Sequence, residues 1–222
     1  MQIFKKIYHF IFQQHSRKSK VIIALLFLGY WICLPSSLFN DPTCMVLEDK
    51  NGNLIGARIA ADGQWRFPQI DSVPRKFAKA IITFEDKRFY KHIGFDARAF
   101  LRAIQQNISN QEIVSGGSTL SMQTIRMSRK GKSRNFFQKI IETILATRLE
   151  ISYSKEEILE MYASHAPFGG NVVGLDAAAW RYYNKPPENL SWSEAATLAV
   201  LPNSPALIHP GRNRKQLKSK RN

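Results

Sequence analysis

The chain has 222 residues, 44% of them hydrophobic and 11% aromatic, which suffices for one core of catalytic size and excludes an array of several full domains. Lys and Arg number 32 against 17 Asp and Glu, a net charge of +15, so the partners to expect are polyanions: nucleic acid, anionic lipid headgroups or a pyrophosphate. Two cysteines, Cys33 and Cys44, exclude a disulfide framework.

Residues 1–20 form a basic tail carrying Lys5, Lys6, Arg17, Lys18 and Lys20. An uncharged run then extends from Val21 through Leu34 and Pro35 to Phe39. At about 1.5 Å per residue, some 19 residues reach roughly 28 Å, close to a hydrocarbon core of about 30 Å. The expectation is one N-terminal transmembrane helix over 21–39. Basic residues precede it, whereas Asp41, Glu48 and Asp49 follow, so the tail is expected in the cytoplasm and the remainder on the other side of the membrane. A cleaved signal peptide and a buried soluble helix are the alternatives. The long basic region, Tyr30, Trp31 and the lack of a small-x-small site after Leu34 favour the anchor.

Over 40–70 the Asn51-Gly52 turn between apolar runs, and Ala61-Asp62-Gly63 before Trp65 and Phe67, predict a small β-rich linker. From 71 to 210 the texture is helical. Ser72 is a cap candidate with Pro74 in the first turn, and Phe77, Ala78, Ile81 and Ile82 mark an apolar face ending near Glu85. Asp96 can cap a helix whose face is Phe100, Leu101, Ile104 and Ile108. Phe137, Ile140, Ile141, Ile144 and Leu145 define a longer amphipathic helix. Ser154 with Glu157, and Ser191 with Glu194, spell two capping boxes. Residues 211–222 are a basic tail resembling the start of a truncated linker.

Three constellations can carry chemistry. In Glu85-Asp86-Lys-Arg-Phe89-Tyr-Lys-His92-Ile-Gly94 an acidic pair ends an apolar helix, where a half-desolvated carboxylate gains basicity. In Gly116-Gly117-Ser118-Thr119-Leu-Ser-Met-Gln123 a glycine pair and hydroxyls precede a helix, whose backbone amides suit phosphate oxygens, although the spacing is not that of a P-loop. Arg126, Arg129, Lys130, Lys132, Arg134 and Lys139 run without an acid until Glu142. That carboxylate falls at the edge of the apolar face, on the line Gln138, Glu142, Ala146, Leu149, and calls for a cation or a cleft. No second His stands at metal-ligand spacing.

Together these residues resemble glycosyltransferase family 51, the peptidoglycan polymerases of class A penicillin-binding proteins. The family's E-D-x-x-F-x-x-H-x-G is met by Glu85, Asp86, Phe89, His92 and Gly94, and its G-G-S-T-[LI]-[TS]-x-Q by Gly116 through Gln123. K-x-x-E is met by Lys139 and Glu142, and a fourth motif by Ser154-Lys155-x-x-Ile158-Leu159-x-x-Tyr162. Met122, Arg126 and Ala166-Pro-Phe-Gly-Gly170 look like the 1C branch of that family. Gln138 and Ser164 depart from the usual Arg and Asn. That branch continues into a transpeptidase. Ser152-Tyr-Ser-Lys155 and Ser133-Arg-Asn135 spell two of its motifs only in reversed order, and the third is absent, so the chain resembles one truncated before that domain.

The resemblance implies a mainly α, lysozyme-like glycosyltransferase domain. It implies Glu85 as general base and Glu142 as a second catalytic residue. Asp86, Phe89, His92, Gly117, Ser118, Thr119, Gln123, Arg126, Arg134 and Lys139 would bind substrate. The implied reaction polymerises lipid II into glycan strands with release of undecaprenyl pyrophosphate. The resemblance alone also implies assistance by a divalent cation, Mg or Mn, a bacterial inner-membrane location, and other wall-synthesis proteins as partners. Rival readings are a lysozyme-like hydrolase, an inactive truncated remnant or scaffold, and a nucleic-acid binder, which the exporting span opposes.

Overall fold

The computed structural model describes residues 17–112, 116–130, 135–203 and 213–222. The chain divides into two units, Met1–Leu38 and Phe39–Asn222.

The first unit overturns the expected anchor. Its helix α1, Arg17–Ile32, has 16 residues and so rises roughly 24 Å, and its first turn holds Arg17, Lys18 and Lys20. The uncharged helical part, Val21 to Ile32, spans only roughly 18 Å, because the backbone leaves the helix at Cys33, just ahead of Pro35. No helix among the described residues is long and apolar enough to cross a membrane. The predicted span over 21–39, and the single-pass inner-membrane topology built on it, are therefore corrected. An apolar run measures hydrophobicity, whereas a span also needs unbroken helix, and the run includes a proline.

The second unit is mainly α with small sheets. Strands β1, Met45–Glu48, and β2, Leu54–Arg58, pair antiparallel around a turn in which the Asp49 carboxylate accepts the N–H groups of Asn51 and Asn53 at 2.8 Å, with Gly52 at a φ of 78°. Strand β3, Trp65–Arg66, lies parallel to β5, Val172–Val173, and β5 lies antiparallel to β4, Pro167–Gly169. The linker is thus tied to the far end of the helical domain.

Helix α2, Arg75–Glu85, starts after Pro74, whose extended ψ of 133° turns the chain into the helix; no side chain caps it, so Ser72 lies outside. Helix α3, Ala97–Asn110, is capped by Asp96, which accepts from the N–H of Arg98 and Ala99. Helices α4, Leu120–Ser128, and α5, Phe136–Ser152, are capped by Thr119 and Asn135. Both capping boxes form, at Ser154 for α6, Lys155–His165, and at Ser191 for α8, Trp192–Val200. Helix α7, Leu175–Tyr183, lies between these two in sequence, and α9 is Arg214–Arg221.

The core is built from α2, α6, α7 and α8 with β4 and the C-cap of α8: Phe77, Ile81, Ile158, Phe168, Leu175, Leu198 and Leu201 are fully buried. Each such side chain contributes about 1.5–3 kcal/mol on burial. Helix α5 behaves otherwise than its periodicity suggests. Phe137, Ile140, Ile141 and Ile144 are exposed, while Glu142, Ala146 and Leu149 are buried. The stripe facing the domain is the one that carries a charge.

Candidate active site

Glu85 is the last residue of α2, and Asp86, the C-cap, returns its N–H to Ile82. The Glu85 Oε2 accepts a hydrogen bond from Gln123 Nε2 at 2.7 Å, whereas Oε1 is buried with no hydrogen-bond partner. Burial holds the Glu85 carboxyl above the usual carboxylate range, outweighing Gln123 and other groups that pull it down. Sequence reasoning expects a half-desolvated carboxylate at this junction, and this is its physical form.

Behind Glu85 stands a buried polar network. His92 Nε2 lies 3.0 Å from both Asp86 oxygens; facing a carboxylate, that nitrogen carries the proton and donates. Asp86 Oδ2 also accepts the backbone N–H of Leu120, the first residue of α4, at 3.0 Å. Lys155 Nζ donates to the His92 carbonyl at 2.8 Å, pairs with Glu150 at 2.7 Å and lies 4.5 Å from the centre of the Phe89 ring. Ser121 Oγ donates to Glu150 as well. Asp86, Phe89 and His92, expected to bind substrate, are therefore interior groups that fix the ends of α2 and α4 together. Glu150 belongs to no motif, but it continues the stripe of Glu142, Ala146 and Leu149 at helical spacing.

Thr119 joins the first two motifs: its hydroxyl donates to the Gly94 carbonyl at 2.6 Å and accepts from Met122 N–H at 3.2 Å. Gly94, at a φ of 73°, admits no side chain, because a Cβ there would stand 2.5 Å from the backbone of Ala146 and Thr147. A Cβ at Gly117 would stand 2.9 Å from the Phe100 Cα. Of the two departures from the family pattern, Ser164 accepts the Ile70 N–H at 3.2 Å and so tethers the linker, while Gln138 lines the cleft.

The cleft, about 1160 Å³, is lined by Glu85 and Gln123 together with Ser118, Arg126, Lys139 and Glu142. Arg126 grips Glu142 with two bonds, Nε to Oε1 at 3.0 Å and Nη2 to Oε2 at 2.9 Å, and Nη2 reaches Ser118 Oγ at 3.3 Å. This answers why a carboxylate is buried on α5: its countercharge comes from α4. Lys139 lies 5.4 Å from the centre of the Phe100 ring. Lys130 is 81% exposed in its side chain and pairs with Asp41, away from these groups. Arg134 and Lys132 lie outside the described residues. Both Glu142 oxygens are committed to Arg126, and among the described residues there is no group of three or more His, Cys, Asp or Glu that could hold a metal ion.

Comparison with known proteins bears on this arrangement. A family model described as Transglycosylase matches residues 51–222. Penicillin-binding protein 1C of Escherichia coli is 39% identical over 204 residues, 89% of this chain and 26% of its own length. Penicillin-binding protein 1F of Bacillus subtilis is 34% identical, covering 87% of this chain and 27% of its own. The chain thus spans about a quarter of those proteins. Biosynthetic peptidoglycan transglycosylase of Haemophilus influenzae is 33% identical over 82% of this chain and 72% of its own length. A crystal structure of penicillin-binding protein 1A from H. influenzae matches with a TM-score of 0.39 at 21% identity, over 82% of this chain and 17% of that one, too loose a likeness for comparing side chains. The chain belongs to the transglycosylase family, the peptidoglycan glycosyltransferases found in class A penicillin-binding proteins.

Proposed function

We propose that this chain polymerises lipid II, a disaccharide on an undecaprenyl pyrophosphate carrier, into glycan strands with Glu85 as general base. The observation that carries this reading is the Glu85 carboxylate itself. Glu85 is half-buried, one oxygen is held by Gln123, the other is buried with no partner, and the side chain lines a cleft shared with Arg126 and Lys139. A carboxylate made more basic by burial accepts a proton more readily once ionised.

In the proposed step the acceptor's 4-hydroxyl gives its proton to Glu85 as its oxygen attacks the anomeric carbon of the donor sugar. The bond from that carbon to the pyrophosphate breaks on the opposite face, so configuration inverts and undecaprenyl pyrophosphate leaves with the bonding pair. A pyrophosphate needs countercharge more than a protonated acid. Arg126 and Lys139 would supply it as charge accumulates, with the Ser118 hydroxyl as a neutral hydrogen-bond donor. Glu142 and Ser118 occupy three of the five guanidinium donors of Arg126, and the two on Nη1 have no partner among the described residues. Glu142 would then orient Arg126, while Asp86, Phe89 and His92 keep α2 and α4 in register behind the base.

Product analysis with purified chain and lipid II tests this. Glycan strands of several disaccharides with released undecaprenyl pyrophosphate are expected. Free disaccharide from transfer to water would instead support a hydrolase.

A further inference from the structure

Among the described residues four side-chain atoms are buried without a hydrogen-bond partner: Glu85 Oε1, His92 Nδ1, Gln138 Oε1 and Tyr162 Oη. Folded proteins pair nearly all such groups, because a donor or acceptor that gives up water and gains nothing destabilises the fold. His92 belongs to the network behind the base. Glu85, Gln138 and Tyr162 all line the cleft, so the unpaired groups gather where a polar ligand would meet them.

Glu85 Oε1 has its use as proton acceptor, and the two ends of the Gln138 amide can exchange by a half-turn. Neither account covers Tyr162. It stands on α6, one turn after the fully buried Ile158, and is itself 1% exposed. The ring fixes where the oxygen lies, and turning the O–H bond brings it to no acceptor. Tyr182 shows the ordinary arrangement, its hydroxyl donating to the Phe168 carbonyl at 3.0 Å. Burial pushes the Tyr162 phenol well above its ordinary range and the Glu85 charge adds to the shift, so the hydroxyl keeps its proton within the field of the base.

We propose that Tyr162 is a further substrate-binding residue, whose hydroxyl donates a hydrogen bond to an oxygen of the acceptor sugar as that sugar presents its 4-hydroxyl to Glu85. This rests on the reading of Glu85 as the base. A neutral donor suits an uncharged sugar oxygen, whereas the pyrophosphate has Arg126 and Lys139. Solvent does not reach the hydroxyl in the free protein, so the contact forms as the cleft closes on the sugar. A donor unpaired in the free protein and paired in the complex weakens the fold and strengthens binding, a combination that a core tyrosine does not give.

Tyr162→Phe in the full chain deletes one oxygen and tests both halves of that statement. Without ligand its melting temperature is expected to be no lower than the parent's and up to about 4 °C higher, because the unpaired donor is gone. Its kcat/KM on lipid II should fall about threefold or more. Lipid II should also bind about threefold or more weakly to Glu85→Gln/Tyr162→Phe than to Glu85→Gln, a comparison that needs no turnover. Tyr182→Phe, which loses a bond already made, should melt lower than the parent and keep kcat/KM within about 1.5-fold; Tyr90→Phe, at an exposed ring, should move neither. A melting temperature of Tyr162→Phe below the parent's would show a partner in the free protein and overturn the proposal. Losses of kcat/KM or of affinity smaller than about threefold, or an equal loss in Tyr90→Phe, would overturn it as well. Weakened binding with an active Glu85→Gln enzyme would refute the base and leave the contact. Unchanged binding with an inactive Glu85→Gln enzyme would refute the contact and leave the base.

Discussion

Replacing Glu142 by Gln should injure turnover far more than its effect on folding suggests. The pair it breaks has two charge-assisted bonds of 3.0 and 2.9 Å between side chains 22% and 8% exposed, Arg126 and Glu142 respectively. Glutamine keeps the shape but offers one oxygen and one amide donor, and that donor faces a guanidinium that has only donors. Losing one bond and leaving a partly desolvated cation unmatched costs about 1–3 kcal/mol of stability. The larger effect is on position: released from Glu142, Arg126 can swing by an ångström or more, and misplacement of that size costs up to roughly 100-fold in rate. Glu142→Gln is therefore expected to lower kcat by about 10- to 100-fold with KM changed less. Arg126→Lys, which keeps the charge but not the fork, should lose less. The double variant should be little worse than Glu142→Gln alone, a departure from additivity of about 1–2 kcal/mol. Steady-state lipid II polymerisation by the four proteins, alongside urea unfolding, measures this. Losses that add to within about 0.5 kcal/mol would refute the claim that Glu142 acts by holding Arg126.

Gly94→Ala should destabilise the fold by about 2–4 kcal/mol in urea unfolding, since its Cβ would meet the α5 backbone at 2.5 Å on top of an unfavourable positive φ. Glu85→Gln should raise the unfolding temperature at pH 7. Burial raises the folded pKa of Glu85, so ionising it costs the wild-type fold as pH rises through that value; the advantage of Gln should fade as pH falls below 4.5, the ordinary value, where both side chains are neutral. Lys139→Ala should cut kcat by at least about tenfold, whereas Lys130→Ala, at an 81% exposed side chain, should stay within about twofold of the parent at moderate salt. Equal, salt-sensitive losses at both would mark the basic run as undifferentiated surface.

The parts of this fold legible in the sequence are those decided within a few residues. Both capping boxes and the Asp96 cap follow from side chains reaching amides two or three residues on, so spacing is enough. The motifs around Glu85 and Ser118 mark where chemistry gathers, because each needs its glycines and hydroxyls locally. What was illegible depends on partners far along the chain. Periodicity shows that α5 has an apolar stripe, but only the arrival of Arg126 from α4 makes the Glu142 stripe the buried one. The run after Val21 has the hydrophobicity of a span, yet where its helix stops is set by backbone geometry near Pro35, which a count of apolar residues does not contain. Asn203 and Lys220 carry no motif, and the hydrogen bond that joins them across 17 residues is visible only in three dimensions.

The central claim is that the Glu85 carboxylate removes the acceptor's proton, and turnover of lipid II by Glu85→Gln tests it most directly. The amide preserves size and can still accept a bond from Gln123, but it cannot take up a proton at this pH. A folded Glu85→Gln protein that binds lipid II normally and polymerises it at least about 100-fold more slowly than the parent is the predicted result. Polymerisation within a few-fold of the parent would contradict the account.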